Sequence, residues 1–163
     1  MAADTTIGAI TRAPQLAVLE AQVADARAKG ATVLCGSGRR ESGPGNWFAP
    51  TVLINVNHQM DLMREESFGP VIGIQKVASD DEAVALMNDT RYGLTAGVYT
   101  TDEAEARALL ARVNAGSVYW NCCDRVSPRL PWSGHKDSGL GLTLSSHGIL
   151  AFTRPKAWHL RQP

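Results

Sequence analysis

The chain is 163 residues long, enough for one domain with a buried core. Its 44% hydrophobic and 20% charged residues exclude a disordered polymer, and 16 basic side chains balanced by 16 acidic ones give no basic face for a nucleic acid. No run of ~18 apolar residues offers a membrane span, and the opening MAADTTIGAI lacks the basic-then-apolar pattern of a signal peptide.

The first expected element is a helix from Pro14 to Lys29, with Leu16, Leu19, Val23 and Ala26 on one face. Pro14 suits its first turn and Gly30 stops it. Ala31–Cys35 reads as a short strand, and residues 36–47 as a glycine-rich loop. Phe48–Val56 reads as a second strand, with Pro50 near its start, where a missing donor is tolerated. A helical turn around Met60 and Met63 follows, then a strand at Val71–Val77.

Ser79-Asp80-Asp81-Glu82 has a capping-box pattern ahead of a helix to Asn88, with Ala83, Leu86 and Met87 expected inward. Ala96–Tyr99 is the next strand. Thr101 or Asp102 caps a helix to Val113, and Ser117–Trp120 is another strand. Strands alternating with helices over Val71–Trp120 imply parallel pairing with helical crossovers. Residues 121–141 carry prolines and glycines as a long loop, and two tryptophans and a tyrosine nearby favour its being ordered. A short helix within 143–152 and a terminal strand at 154–161 complete the chain. The fold class expected is α/β, a compact parallel or mixed sheet flanked by helices, with a protruding C-terminal strand.

The cysteines are Cys35, Cys122 and Cys123, an odd and small set that builds no disulfide framework. The adjacent pair fits neither a zinc knuckle nor a C-x-x-C redox motif, and a reducing, cytoplasmic setting is the simplest reading. The four histidines show no ligand spacing, so no metal site is expected.

Four motifs, in order, carry a resemblance. Glu65-Glu66-Ser67-Phe68-Gly69-Pro70 resembles the E-x-F-G-P motif of the aldehyde dehydrogenase superfamily. Asn88-Asp89-Thr90-Arg91-Tyr92-Gly93-Leu94, Ala115-Gly116-Ser117-Val118 with Asn121, and Pro131-Trp132-Ser133-Gly134-His135-Lys136-Asp137-Ser138-Gly139-Leu140-Gly141 resemble its later signatures. The resemblance covers essentially the whole chain. It implies residues 1–153 as part of a catalytic domain and residues 154–163 as an oligomerisation strand.

The resemblance also implies a chemistry: oxidation of an aldehyde to an acid with NAD or NADP. Glu66 matches the glutamate that hydrogen-bonds the nicotinamide ribose, and Phe68 the aromatic beside the nicotinamide. Asn121 opens the loop that shapes the aldehyde tunnel, and Trp132 stands beside that tunnel where the family usually has Phe. Leu142-Thr143 stands where Arg-Glu is frequent. The family's nucleophilic cysteine, water-activating glutamate and oxyanion asparagine lie upstream of the helix–Gly–strand unit that opens this chain. No catalytic residue is therefore assigned here, and tight cofactor binding by this chain alone is not expected. The partners implied are a second copy or a complementing aldehyde dehydrogenase chain. The alternative is a non-catalytic module that associates through its C-terminal strand.

Plain readings stand beside these. Glu66 reads equally as a solvated loop carboxylate and Phe68 as core. Lys136-Asp137 reads as a solvated turn, and Cys122 and Cys123 as small buried apolar side chains.

Overall fold

The computed structural model describes residues 5–36, 38–39, 44–123 and 125–163. It divides into two compact units, Met1–Ser79 and Asp80–Pro163. No helix among the described residues is long and apolar enough to cross a membrane.

In the first unit, helix α1 runs Pro14–Ala28, with proline in its first turn. Its end is a paired backbone cap. The Ala31 amide donates to the Ala26 carbonyl (2.9 Å) and the Gly30 amide to that of Arg27 (3.1 Å). Gly30 sits at a φ of +99°, which a side chain would resist. The turn delivers the chain into β1, Thr32–Cys35, which pairs antiparallel with β2, Thr51–Ile54. The expected strand at Phe48–Val56 is shorter because Pro50 brings no donor, and Phe48 makes only an isolated bridge to Arg39. After the single-turn α2, Asp61–Arg64, strand β3 at Val71–Ile74 pairs parallel with β2.

The core of this unit forms where α1 covers the sheet. Leu16, Leu19 and Phe48 make one buried cluster, and Ala26, Leu53, Val56, Met60 and Leu62 another. Val23, expected on the buried face, packs against both while staying partly exposed, and Gln22 beside it is buried. A charged staple ties α1 to α2. Lys29 pairs with Asp25 at 2.6 Å, and the Asp25 carboxylate also accepts the Asp61 amide at 2.9 Å.

The second unit holds α3 (Asp80–Asn88), β4 (Tyr92–Gly93), β5 (Thr95–Val98), α4 (Glu103–Leu110), β6 (Ser117–Trp120), β7 (His135–Lys136) and α5 (Ser145–Leu150). Asp102 caps α4 by accepting the Ala104 and Glu105 amides at 2.8 and 3.1 Å. The helix stops at Leu110, and turn-type bonds carry the chain on to Val113. In α3 the buried residue is Val84, with Ala83, Leu86 and Met87 only partly covered. Strands β5 and β6 pair in parallel across α4, the crossover that the alternating pattern implied.

The fold is of the α/β class expected, with helices beside small sheets, and the strands are divided among several of these. They fall into three: β1-β2-β3, β4-β7 and β5-β6. At β4 the Gly93 N–H donates to Ser138 Oγ at 2.9 Å. The expected terminal strand pairs with no strand among the described residues, and residues 151–163 are exposed throughout.

Two stability tests follow from the packing. At Gly116 an added Cβ would overlap the Ser133 carbonyl oxygen, a backbone atom with no freedom to move aside. Gly116→Ala should destabilise the chain by about 1–3 kcal/mol, read as a lower urea midpoint; an unchanged midpoint would refute the close approach. The Asp25 carboxyl is held below its ordinary value by the hydrogen bond from Lys29 first and the Asp61 amide second. A lowered folded-state pKa adds stability above the unfolded value, and that stability is lost as pH falls through the folded value. Asp25→Asn should therefore lower the urea midpoint near neutrality, with the difference from the parent shrinking as the pH falls below about 4. A gap that stays constant on acidification would remove the carboxylate from the account.

Candidate functional site

The four singled-out residues fall in two pairs, one in each unit. Glu66 and Phe68 lie in the loop between α2 and β3, and its backbone is pinned along its length. The Glu65 amide donates to Asp61 O (2.8 Å), Gln15 Nε2 to Ser67 O (2.6 Å) and the Thr51 amide to Pro70 O (2.8 Å). Gly69 lies against the Leu19 side chain with no room for a Cβ. Between these anchors Phe68 adopts a φ of +46°, a conformation that a bulky side chain rarely takes.

The result is an aromatic ring 79% exposed on a fixed loop, which overturns the plain-core reading of Phe68. Glu66 is exposed as well, and its carboxylate meets no hydrogen-bond donor among the described residues. A carboxylate and a ring two residues apart suit a vicinal diol beside a flat heterocycle.

In the second unit Asn121 follows β6 at a φ of +52°. Its amide clamps one residue from both sides. Oδ1 accepts the Thr100 amide at 3.0 Å, and Nδ2 donates to the Thr100 carbonyl at 2.8 Å. Trp120 Nε1 donates to the same carbonyl at 2.9 Å. The loop that leaves Asn121 is thus fixed at its start. It is fixed at its far end too, where Trp132 and Thr143 exchange backbone bonds of 2.8 and 2.9 Å. Between these points the loop walls a concavity of about 200 Å³ whose floor is Gly116 with Ser117–Tyr119 of β6. Trp132, Pro131, Leu130, Ser127 and Arg125 line its side.

Several functional-looking residues hold the frame. Lys136 is not the solvated turn expected: its Nζ donates to the Asn88 and Thr90 carbonyls, both at 2.8 Å. Asn88 accepts the Asn114 amide (2.8 Å) and donates to Arg112 O (2.9 Å), while Asn114 Oδ1 meets His135 Nδ1 at 2.8 Å. These contacts join the Asn88–Leu94 motif to the Pro131–Gly141 motif. Arg125 was also passed over as a pocket residue. Its signal was its position inside the loop expected to shape the tunnel.

The cysteines carry no activating partner that is described. Cys123 is exposed and Cys122 half-buried, which corrects the expectation of two buried thiols. Cys35 is exposed, and its thiol meets only the Pro50 carbonyl at 4.0 Å. Asp124, next to the pair, lies outside the described residues. Among the described residues no group of three or more His, Cys, Asp or Glu side chains is arranged to hold a metal ion.

Comparison with known proteins identifies the family. Residues 1–158 match the model of the aldehyde dehydrogenase family. The chain is 45% identical over 134 residues to an aldehyde dehydrogenase of Paenarthrobacter nicotinovorans, covering 82% of this chain and 29% of that protein. It is 38% identical to succinate-semialdehyde dehydrogenase [NADP(+)] 1 of Mycobacterium ulcerans, covering 94% of this chain and 33% of the relative. Among solved structures, betaine aldehyde dehydrogenase from Staphylococcus aureus in complex with NAD+ superposes with a TM-score of 0.85 at 32% identity, over 92% of this chain and 30% of that one. Lactaldehyde dehydrogenase from Escherichia coli gives 0.86 at 32% identity, over 91% and 31%. The chain therefore spans about a third of the length of the relatives it matches, at 29% and 33% of the two curated ones. An exposed carboxylate and ring on a pinned loop, a clamped loop beside a tryptophan, and these matches lead to one conclusion: this chain belongs to the aldehyde dehydrogenase family.

Proposed function

We propose that the chain supplies part of a site for nicotinamide-dependent aldehyde oxidation, in which an aldehyde, water and NAD+ or NADP+ become an acid, a proton and the reduced cofactor. The observation that carries this is the Glu66–Phe68 loop, whose carboxylate and ring are held out on fixed backbone. Glu66 would accept from the ribose hydroxyls and Phe68 would pack beside the nicotinamide. The cofactor, when bound, accepts hydride. Asn121 sets the direction of the loop from its clamp on Thr100, and Trp132 forms the wall against which the aldehyde's chain lies. The relatives' names span an anionic, a cationic and a neutral aldehyde, so membership in the family leaves the substrate's tail open.

The nucleophile in this reading comes from outside the three cysteines here, since none has a described base or cation against its thiol. The chain then works with the remaining part of a dehydrogenase, in the cytoplasm, either as a complementing polypeptide or within a longer one.

A second reading has its own support. Residues 154–163 pair with no strand among the described residues, yet Trp158 and Leu160 stand 70% and 81% exposed there. Such a segment suits strand addition to another copy or to a relative.

Incubated alone with aldehydes and NAD+ or NADP+, the chain should form no reduced cofactor by absorbance. Turnover should appear on adding a polypeptide that carries the first two-thirds of a relative. In that mixture Glu66→Gln should raise the cofactor KM about tenfold with little change in kcat. Turnover by the chain alone, abolished by Cys122→Ser with Cys123→Ser, would place the nucleophile here and overturn the reading. Deleting residues 157–163 should lower the assembly state seen by light scattering, and an unchanged mass would sink the strand-addition reading.

A further inference from the structure

The concavity beside Trp132 has an uneven chemistry. Its floor and wall are apolar or carry hydroxyls: Val118, Tyr119, Leu130 and Trp132, with Ser127 at one side. Among the described residues, the one charged side chain lining it is Arg125. Arg125 is exposed, and its guanidinium meets no acid, carbonyl or ring among the described residues. Arg112 is committed to Asp81 at 2.7 Å, Arg107 to Glu103 at 2.7 Å, and Arg91 to the Tyr92 ring and hydroxyl, while Arg129, on the same loop, is not among the residues lining the concavity. The loop that carries Arg125 is fixed at both ends, by the Asn121 clamp and the Trp132–Thr143 bridge, so the charge is held near the concavity on a short tether.

We propose that Arg125 is a specificity-determining residue that selects aldehydes bearing a carboxylate at the far end of a short chain. The inference rests on the reading that the Trp132 concavity takes the aldehyde. Guanidinium and carboxylate match as two parallel N–H donors to two oxygens, a pairing stronger and more directional than a neutral hydrogen bond. The apolar floor fits the methylenes between carboxylate and carbonyl, and a volume of about 200 Å³ suits a substrate of a few carbons. The same charge disfavours a substrate with a quaternary ammonium tail, through like-charge repulsion in a partly desolvated site.

The test has a binding arm and a turnover arm. In ligand-detected NMR with the full chain, succinate is the anionic probe and 1-butanol the neutral one. Succinate should bind the parent, bind Arg125→Lys more weakly, and lose binding about tenfold or more in Arg125→Met, while 1-butanol is unaffected. Circular dichroism identical to the parent's confirms that the exposed substitution leaves the fold intact. In the turnover arm, run with the complementing polypeptide, the ratio of kcat/KM for 4-oxobutanoate over butanal should fall by a similar factor in Arg125→Met. Succinate binding that is equal in the parent and Arg125→Met overturns the proposal, as does an unchanged ratio. If no aldehyde is oxidised but succinate still binds through Arg125, the anion site stands and the dehydrogenase reading falls. If aldehydes are oxidised with an Arg125-independent ratio, the reverse holds.

Discussion

The second unit depends on one steric constraint, the approach of backbone to backbone where Gly116 meets Ser133. No side chain fits between them. Because the two stretches come that close, Gly116 can donate to the Gly93 carbonyl at 3.0 Å while Ser138 receives the Gly93 amide. Three separate segments thereby share one seam, and β4, β6 and β7 are positioned by it. Lys136 and Asn114 then add polar ties around the seam. The concavity beside Trp132 is a by-product of the same approach, since its floor is the strand that follows directly on Gly116.

The first unit is built on different physics. Its stability comes from apolar burial of α1 against a small sheet, with Leu16, Leu19, Leu53 and Met60 almost wholly removed from water. The Asp25–Lys29–Asp61 staple adds direction more than energy, as a partly exposed ion pair contributes little on its own. That direction matters because α2 leads straight into the loop carrying Glu66 and Phe68. A helix end, a charge pair and a buried leucine under Gly69 together decide where that loop stands.

Local signals in the sequence were strong and long-range ones weak. The α1 helix, the Asp102 cap and the β5–α4–β6 crossover follow from periodicity and capping chemistry within a few residues, and all appear. Sheet membership did not follow, because β3 and β5 are indistinguishable as short apolar runs and only distant partners assign them to different sheets. The motif residues were legible as a family pattern. Their physical jobs were not, since the grip of Asn121 on Thr100 spans 21 positions and that of Lys136 on Asn88 spans 48. Arg125 was legible as a member of the loop that follows β6; that it lines the concavity beside Trp132 depends on how that loop folds back over the strand.

The left-handed backbone at Phe68 has a consequence for how this protein can change. Glycine would relax that position, and a stability-driven selection or design would favour it. The relaxed chain would no longer hold an aromatic plane rigidly in solvent, and whatever docks there would have to order the loop itself. Position 68 is thus one where thermal robustness and recognition pull in opposite directions. A homologue tuned for heat and one tuned for affinity would be expected to resolve it differently.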